Sequence, residues 1–508
     1  MIVKIIFLLL FFGVMLAVGF YSRKHTTNVN DFVLGGRSVG PWLTAFAYGT
    51  SYFSAVVFVG YAGQFGYKYG MSSTWIGIGN AVIGSLMAWV ILGRRTRVMS
   101  NHLQATTMPD FFGKRYQSNA LRVTASAISF IFLIPYTASV YNGLSRLFGM
   151  AFDIPYSVCV ITMAVLTGAY VILGGYMATA INDFIQGIVM LGGIIAVIAA
   201  VLNGQGGFIT AVKKLAELES DIPLTLGQKG AFTSFFGPDP LNLLGVVILT
   251  SLGTWGLPQM VHKFYAIKDE KSIRYGTIIS TFFAVIVSGG CYFLGGFGRL
   301  FDMPGIHKED GSVIYDAIIP TMLSTLPDIL VGIVIVLVLS ASMSTLSSLV
   351  LTSSSTLTLD MIKDNIIKDM SEKKQVFCMR ILLVFFIVVS VVLALDPPTF
   401  IAQLMGISWG ALAGAFLAPF LYGLYWKKVT RASVWASFIC GVGITVSNIF
   451  LHYIASPINA GAIAMLAGLI VVPVVSLLTP KMKKEEVDDI FACLDETVVV
   501  HRRRSIEE

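Results

Sequence analysis

Twelve of the twenty-one residues from Ser340 to Asp360, SASMSTLSSLVLTSSSTLTLD, carry a hydroxyl, and the stretch continues an apolar run, LVGIVIVLVL, that begins at Leu330. A membrane-spanning helix satisfies its own backbone and gains nothing from polar side chains in lipid, so these hydroxyls must face protein, water or an ion. Ser340, Ser344 and Ser348 lie four apart on one helix face, flanked by Thr345 and Ser347. Neutral oxygens converging in this way are the donors that a small hard cation prefers. The same spacing is also a small-residue packing seam, and membrane serines often bond the carbonyl one turn back. On this stretch alone both readings stand, and packing is the commoner.

The elements that would hold these groups follow from composition. At 508 residues, 56% hydrophobic and 12% charged, the chain is far from the soluble range, where about a quarter of residues are charged. It reads as an all-α polytopic membrane protein. The opening MIVKIIFLLLFFGVMLAVGF is too long for a signal-peptide core, lacks a small-residue cleavage site and is followed by basic SRK, so it is expected to stay as a span. Apolar segments near 2–21, 41–67, 71–93, 121–148, 155–173, 181–202, 241–264, 275–298, 326–357, 377–395, 399–425, 434–453 and 460–479 give about 13 transmembrane helices. No long polar region interrupts them. One transmembrane domain over 1–480 and a short tail over 481–508 are therefore expected.

An odd number of spans puts the termini on opposite sides. Arg37, then Arg94, Arg95 and Arg97, then Lys263, Lys268 and Lys271, then Lys363 and Lys368, then Lys427 and Lys428 fall in alternate loops, with Arg23 and Lys24 after the first span. The positive-inside rule makes those loops cytoplasmic, with the amino terminus outside and the tail inside. The net charge of +7 is scattered among loops, which does not point to nucleic acid. Five cysteines form no C-x-x-C pair and four sit in apolar segments, as core residues do.

Two spans carry helix breakers. The second has Gly49, Gly60, Gly63 and Gly66 around Thr50, Ser51 and Ser54, and the seventh has Gly253, Gly256 and Pro258 within SLGTWGLPQ. Glycine loosens a helix and proline removes a donor, so both segments are expected to unwind. Glycines in membrane helices also serve close packing. The two interrupted spans stand five apart, which divides the chain into spans 2–6 (about 41–202) and 7–11 (about 241–425). A five-span repeat must invert, and paired interruptions at matching positions point to a transport site.

Four stretches then resemble one family, the sodium:solute symporters: DFVLGGRSVGPW (31–42), GGYMATAINDFIQG (174–187), GLPQMVHKFYAIKDEKSIRYG (256–276) and SMSTLSS (342–348). The likeness runs from about Asp31 to Trp426, with proline and pantothenate transporters as the most similar branches; YKYG (67–70) and LYGLYWKK (421–428) are closer to the latter. The resemblance implies a leucine-transporter-like fold with two inverted five-helix repeats, sodium as the co-transported ion, and a plasma or inner membrane location. Carried onto matching positions, a first sodium would meet the carbonyls of Thr50, Phe53 and Ala341 and the hydroxyls of Ser344 and Thr345. A second would use Ser344, Ser347, Ser348 and Asp183. Asp183 is equally placed to cap the start of the sixth span. Candidate substrate contacts are Tyr52, Ser54, Tyr136 and Trp255, each also compatible with plain packing. Tyr52 replaces the aspartate, and Thr254 the aromatic, that proline transporters carry there, which weighs against proline. Arg146 is read as snorkelling at the outer end of the fourth span.

The expected function is sodium-coupled import of a small organic solute by alternating access, the solute being pantothenate-like or another small carboxylate or amino acid. The alternatives are a proton-coupled carrier of the same fold, a channel or a sensor. An enzyme is not expected, since there is no H-E-x-x-H, no Walker loop and no paired carboxylates within spans. Oligomeric state is not legible.

Overall fold

The computed structural model describes residues 2–23, 28–152, 154–301, 304–363 and 365–495. Lys24 and the end of the tail from 496 lie outside the described residues. Within them the chain is helical, with only isolated bridges such as Val39 with Ile267 in place of strands. Ten helices are long and apolar enough to cross a membrane, and a bent pair, Pro240–Gly256 with Pro258–Tyr265, makes eleven. All thirteen apolar segments are helical, but Pro41–Tyr52 is only 12 residues long and Tyr156–Ala169 is one of the shorter apolar helices, so neither counts as a full span alone.

Both predicted interruptions exist, at 53–54 and 256–257. In the second span the helix Pro41–Tyr52 stops where Phe53 turns extended (φ −107°, ψ 126°), and winding resumes beyond Ser54 through a wide π-type stretch into Ala62–Tyr69. The break therefore falls at Phe53 and Ser54, not at a glycine. Gly49, Gly60, Gly63 and Gly66 are used for close packing: Gly49 faces the Phe283 ring, Gly60 faces Ile401, and Gly66 touches the backbone at Gly295. In the seventh span Leu257 is extended (φ −87°, ψ 123°) and Pro258 opens the next helix. A proline forces its predecessor out of the helical region, so this break is written into the Leu-Pro pair itself.

The fifth and sixth spans form one helical run, Tyr156–Gly204, broken only at Gly175, whose φ of 56° and ψ of −148° suit glycine alone. The sixth span thus starts at the glycine pair, eight residues before Asp183. Asp183 lies inside a helix and cannot cap its start.

On one side the first loop is clamped. Arg37, buried in the 35–37 turn, donates to the Ser100 hydroxyl (3.2 Å) and to the carbonyls of Tyr265 (3.3 Å) and Ala105 (2.5 Å). Burial pulls its guanidinium down to about 10, still charged at neutral pH. Described tail residues close the same face: in Lys484–Ala492, Val487, Ile490 and Phe491 are buried, and Lys427 pairs with Asp488 at 2.6 Å.

On the opposite side the short helix Tyr315–Ser324 packs between spans, and Asp316 accepts the N–H of Ile401 (3.3 Å) at the start of the eleventh. Burial lifts the Asp316 carboxyl from its ordinary 3.8 to about 6, with that N–H and the Arg146 charge pulling the other way. The folded chain keeps this proton up to about pH 6, whereas a solvated aspartate has shed it near pH 4. Stability from this group is thus complete below about pH 4 and is lost as pH rises through about 6. Melting temperature should fall across that window in the native chain, and the fall should vanish in Asp316→Asn. Arg146 itself is exposed, its guanidinium 5.8 Å from the Tyr156 ring centre, as snorkelling requires.

Candidate functional site

The broken second span and the hydroxyl-rich ninth, Asp328–Thr356, meet at the break. Extending Phe53 withdraws the last carbonyls of the Pro41–Tyr52 helix from their usual partners and turns them outward. Thr345 Oγ1 lies 3.5 Å from Thr50 O, 3.4 Å from Ser51 O, 3.1 Å from Phe53 O and 3.1 Å from Ala341 O. Ser344 Oγ lies 3.1 Å from Thr50 O and 3.0 Å from Ala341 O. The five groups read as a first sodium site thus form one cluster, fully buried.

The spacing can be tested against a cation. Hard ions of this size hold oxygens at about 2.3–2.6 Å, so two oxygens at right angles about one are roughly 3.2–3.7 Å apart. The observed separations of 3.0–3.5 Å need only a slight expansion. In this conformation the two hydroxyls donate to the carbonyls; rotating each presents a lone pair instead. The donor set is neutral, which suits a monovalent ion.

The second proposed set is arranged differently. Ser347 Oγ donates to Ser344 O (2.9 Å) and Ser348 Oγ to the same carbonyl (3.1 Å). Between Ser348 and Asp183 stands Lys263, whose Nζ donates to Ser348 Oγ at 2.9 Å and pairs with Asp183 Oδ2 at 3.5 Å. Lys263 is 2% exposed and lies in the second half of the broken seventh span. Counting it as a cytoplasmic loop charge was incorrect. The signal was available, because Lys263 falls inside the apolar segment 241–264, and an ionisable residue at such a position marks function.

Of the substrate candidates, Tyr52 and Tyr136 come together on a residue that sequence reasoning missed. Trp409 of the eleventh span stacks on Tyr52 (centres 6.1 Å apart) and meets Tyr136 edge-on (5.8 Å). The Tyr136 hydroxyl faces Ser54. Tyr52 spends its hydroxyl on Thr250 O at 2.6 Å, tying the second span to the seventh. Trp255 is buried and donates its indole N–H to Ile83 O (3.0 Å), while Thr254 donates to Ser251 O (2.9 Å). No spacing rule links Trp409 to the breaks, since it belongs to a different element.

Two discontinuous helices beside a buried oxygen cage and a packed aromatic cluster define a membrane carrier of leucine-transporter-like fold. A solved sodium-coupled sialic acid symporter, substrate-bound and outward-open, superposes with a TM-score of 0.75 at 16% identity, covering 95% of this chain and 99% of that one. A nucleobase-cation-symport-1 family transporter in a closed conformation gives 0.51 at 12% identity, covering 92% and 99%. The sodium:solute symporter family matches residues 32–441, and the chain belongs to that family. With membership comes sodium as the co-transported ion. The osmoregulated proline transporter of Bacillus subtilis is 29% identical over 489 residues, covering 94% of this chain and 96% of its own. A sodium/proline symporter of Staphylococcus aureus is 28% identical over 493 residues, covering 94% and 93%.

Proposed function

We propose that this chain imports a small organic solute together with sodium, and that the cage of Thr50 O, Phe53 O, Ala341 O, Ser344 Oγ and Thr345 Oγ1 is where the ion binds. The observation that carries the reading is the convergence of Thr345 Oγ1 on carbonyls from the end of the second-span helix and from the break itself. An ion there would hold the second span against the ninth and favour the state that accepts solute. Its release to the cytoplasm, the side of the basic loops and the tail, would loosen both. Coupling requires that ion and solute each bind one state better than the other.

The solute would sit against Tyr52, Ser54, Tyr136 and Trp409. Relatives named for proline make a proline-like amino acid one candidate. Tyr52 offers a ring face and no formal negative charge, its hydroxyl being engaged, so a substrate ammonium would meet aromatic faces there and not a carboxylate. The absence of a carboxylate at Tyr52 weighs against proline and leaves a pantothenate-like solute, another small carboxylate or a different amino acid as candidates.

One sodium moving down about 100 mV contributes ~2.3 kcal/mol, and a tenfold gradient adds ~1.4 kcal/mol. Together these allow accumulation of a neutral solute on the order of several hundred-fold. The test is uptake into proteoliposomes of proline, pantothenate, sialic acid, sugars and small carboxylates, with and without a sodium gradient. One solute should enter only with sodium. Uptake that ignores sodium and follows pH would establish the proton-coupled alternative instead.

A further inference from the structure

We propose that Lys263 is a tethered cation standing where a second sodium would otherwise bind, so that this chain carries one sodium per cycle. The inference rests on the reading of the first cage as a sodium site. Asp183 is 0% exposed, and a carboxylate so placed needs a positive partner. The Lys263 ammonium supplies it at 3.5 Å, is held by Ser348 Oγ at 2.9 Å, and lies 5.2 Å from the centre of the Tyr176 ring. Asp183 and Ser348, two of the four side chains carried over as second-sodium ligands, are thus engaged by an amine that belongs to the protein. A free ion could reach them only by displacing it.

The placement also connects the lysine to the first cage. Ser348 bonds Ser51 Oγ (2.8 Å), and the Ser51 carbonyl faces Thr345 Oγ1 at 3.4 Å. Lys263 lies in the last turn of the half-helix Pro258–Tyr265 that follows the seventh-span break, so movement of that half-helix would carry the charge towards or away from Asp183 without any ion crossing the membrane. The lysine therefore restores the charge balance of the second site in each cycle but adds nothing to the driving force, which stays that of one sodium.

The test is saturation binding of radioactive sodium, with no solute, to the full chain in lipid nanodiscs. The native chain should bind one sodium per chain. Lys263→Met should bind two, and Lys263→Met with Asp183→Asn should return to one. Should Lys263→Met fail to fold, Asp183→Asn alone decides: with the lysine still present its count should remain one. Two sodium ions on the native chain, one on a folded Lys263→Met, or a lower count in Asp183→Asn than in the native chain would each overturn the proposal. A native chain that binds none would instead remove the first-cage reading on which it stands.

Discussion

Replacing Thr345 by alanine should raise the sodium concentration for half-maximal uptake by roughly ten- to a hundredfold. One hydroxyl here reaches four carbonyls, three from the second span and one from its own helix. Removing one donor from a desolvated ion costs on the order of 1.5–3 kcal/mol, as for hydrogen bonds to charged groups, and each 1.4 kcal/mol is about tenfold. Thr345→Ser keeps the oxygen and should stay within about threefold of the native chain. Ser344→Ala should fall between them, because Ser344 Oγ meets only Thr50 O and Ala341 O. Sodium titration of solute uptake checks the series. Equal sodium dependence in Thr345→Ala and the native chain would show that this hydroxyl is not a ligand.

The second large effect concerns stability. A Cβ added at Gly66 would lie far inside contact distance of the Gly295 carbonyl, and one added at Gly295 would strike the Ala62 carbonyl. The second and eighth spans cross here backbone to backbone, and neither neighbour is a flexible side chain that could swing away. Overpacking usually costs about 1–3 kcal/mol, and a backbone clash belongs at or above the top of that range. Gly66→Ala should therefore yield little folded protein and a melting temperature lowered by many degrees. Gly192→Ala is the control, since nothing lies within 4 Å of a Cβ there. It should be neutral or slightly stabilising, by a few tenths of a kcal/mol. Size-exclusion recovery and thermal melting of the pair in detergent measure the contrast.

These two sites show what was legible in the chain and what was not. The hydroxyl run of the ninth span could be read directly, because polar oxygens in an apolar helix need partners, and the carbonyls opposite them came only from the family resemblance. The Leu257–Pro258 break followed from local chemistry alone. The break at Phe53–Ser54 was expected in the right span but for the wrong residues. Gly49, Gly60 and Gly66 answer to neighbours hundreds of residues away, and local propensity cannot distinguish a glycine that bends from one that packs. Lys263 was misread because charge counting treats a lysine near the end of an apolar segment as a loop residue. Its burial is decided by Asp183 and Ser348, which reach it only in three dimensions. The Tyr52–Trp409–Tyr136 cluster was half visible for the same reason, Trp409 being brought in by the eleventh span.

The central claim is that carbonyls of the interrupted second span and hydroxyls of the ninth enclose a sodium ion. Electron cryomicroscopy of the chain in nanodiscs, in sodium and in an organic-cation buffer, tests it most directly. In sodium, a density should stand about 2.4 Å from Thr50 O, Phe53 O, Ala341 O, Ser344 Oγ and Thr345 Oγ1, and it should be missing without sodium. A sodium-dependent density elsewhere, with these five oxygens still bonded to one another, would contradict the account.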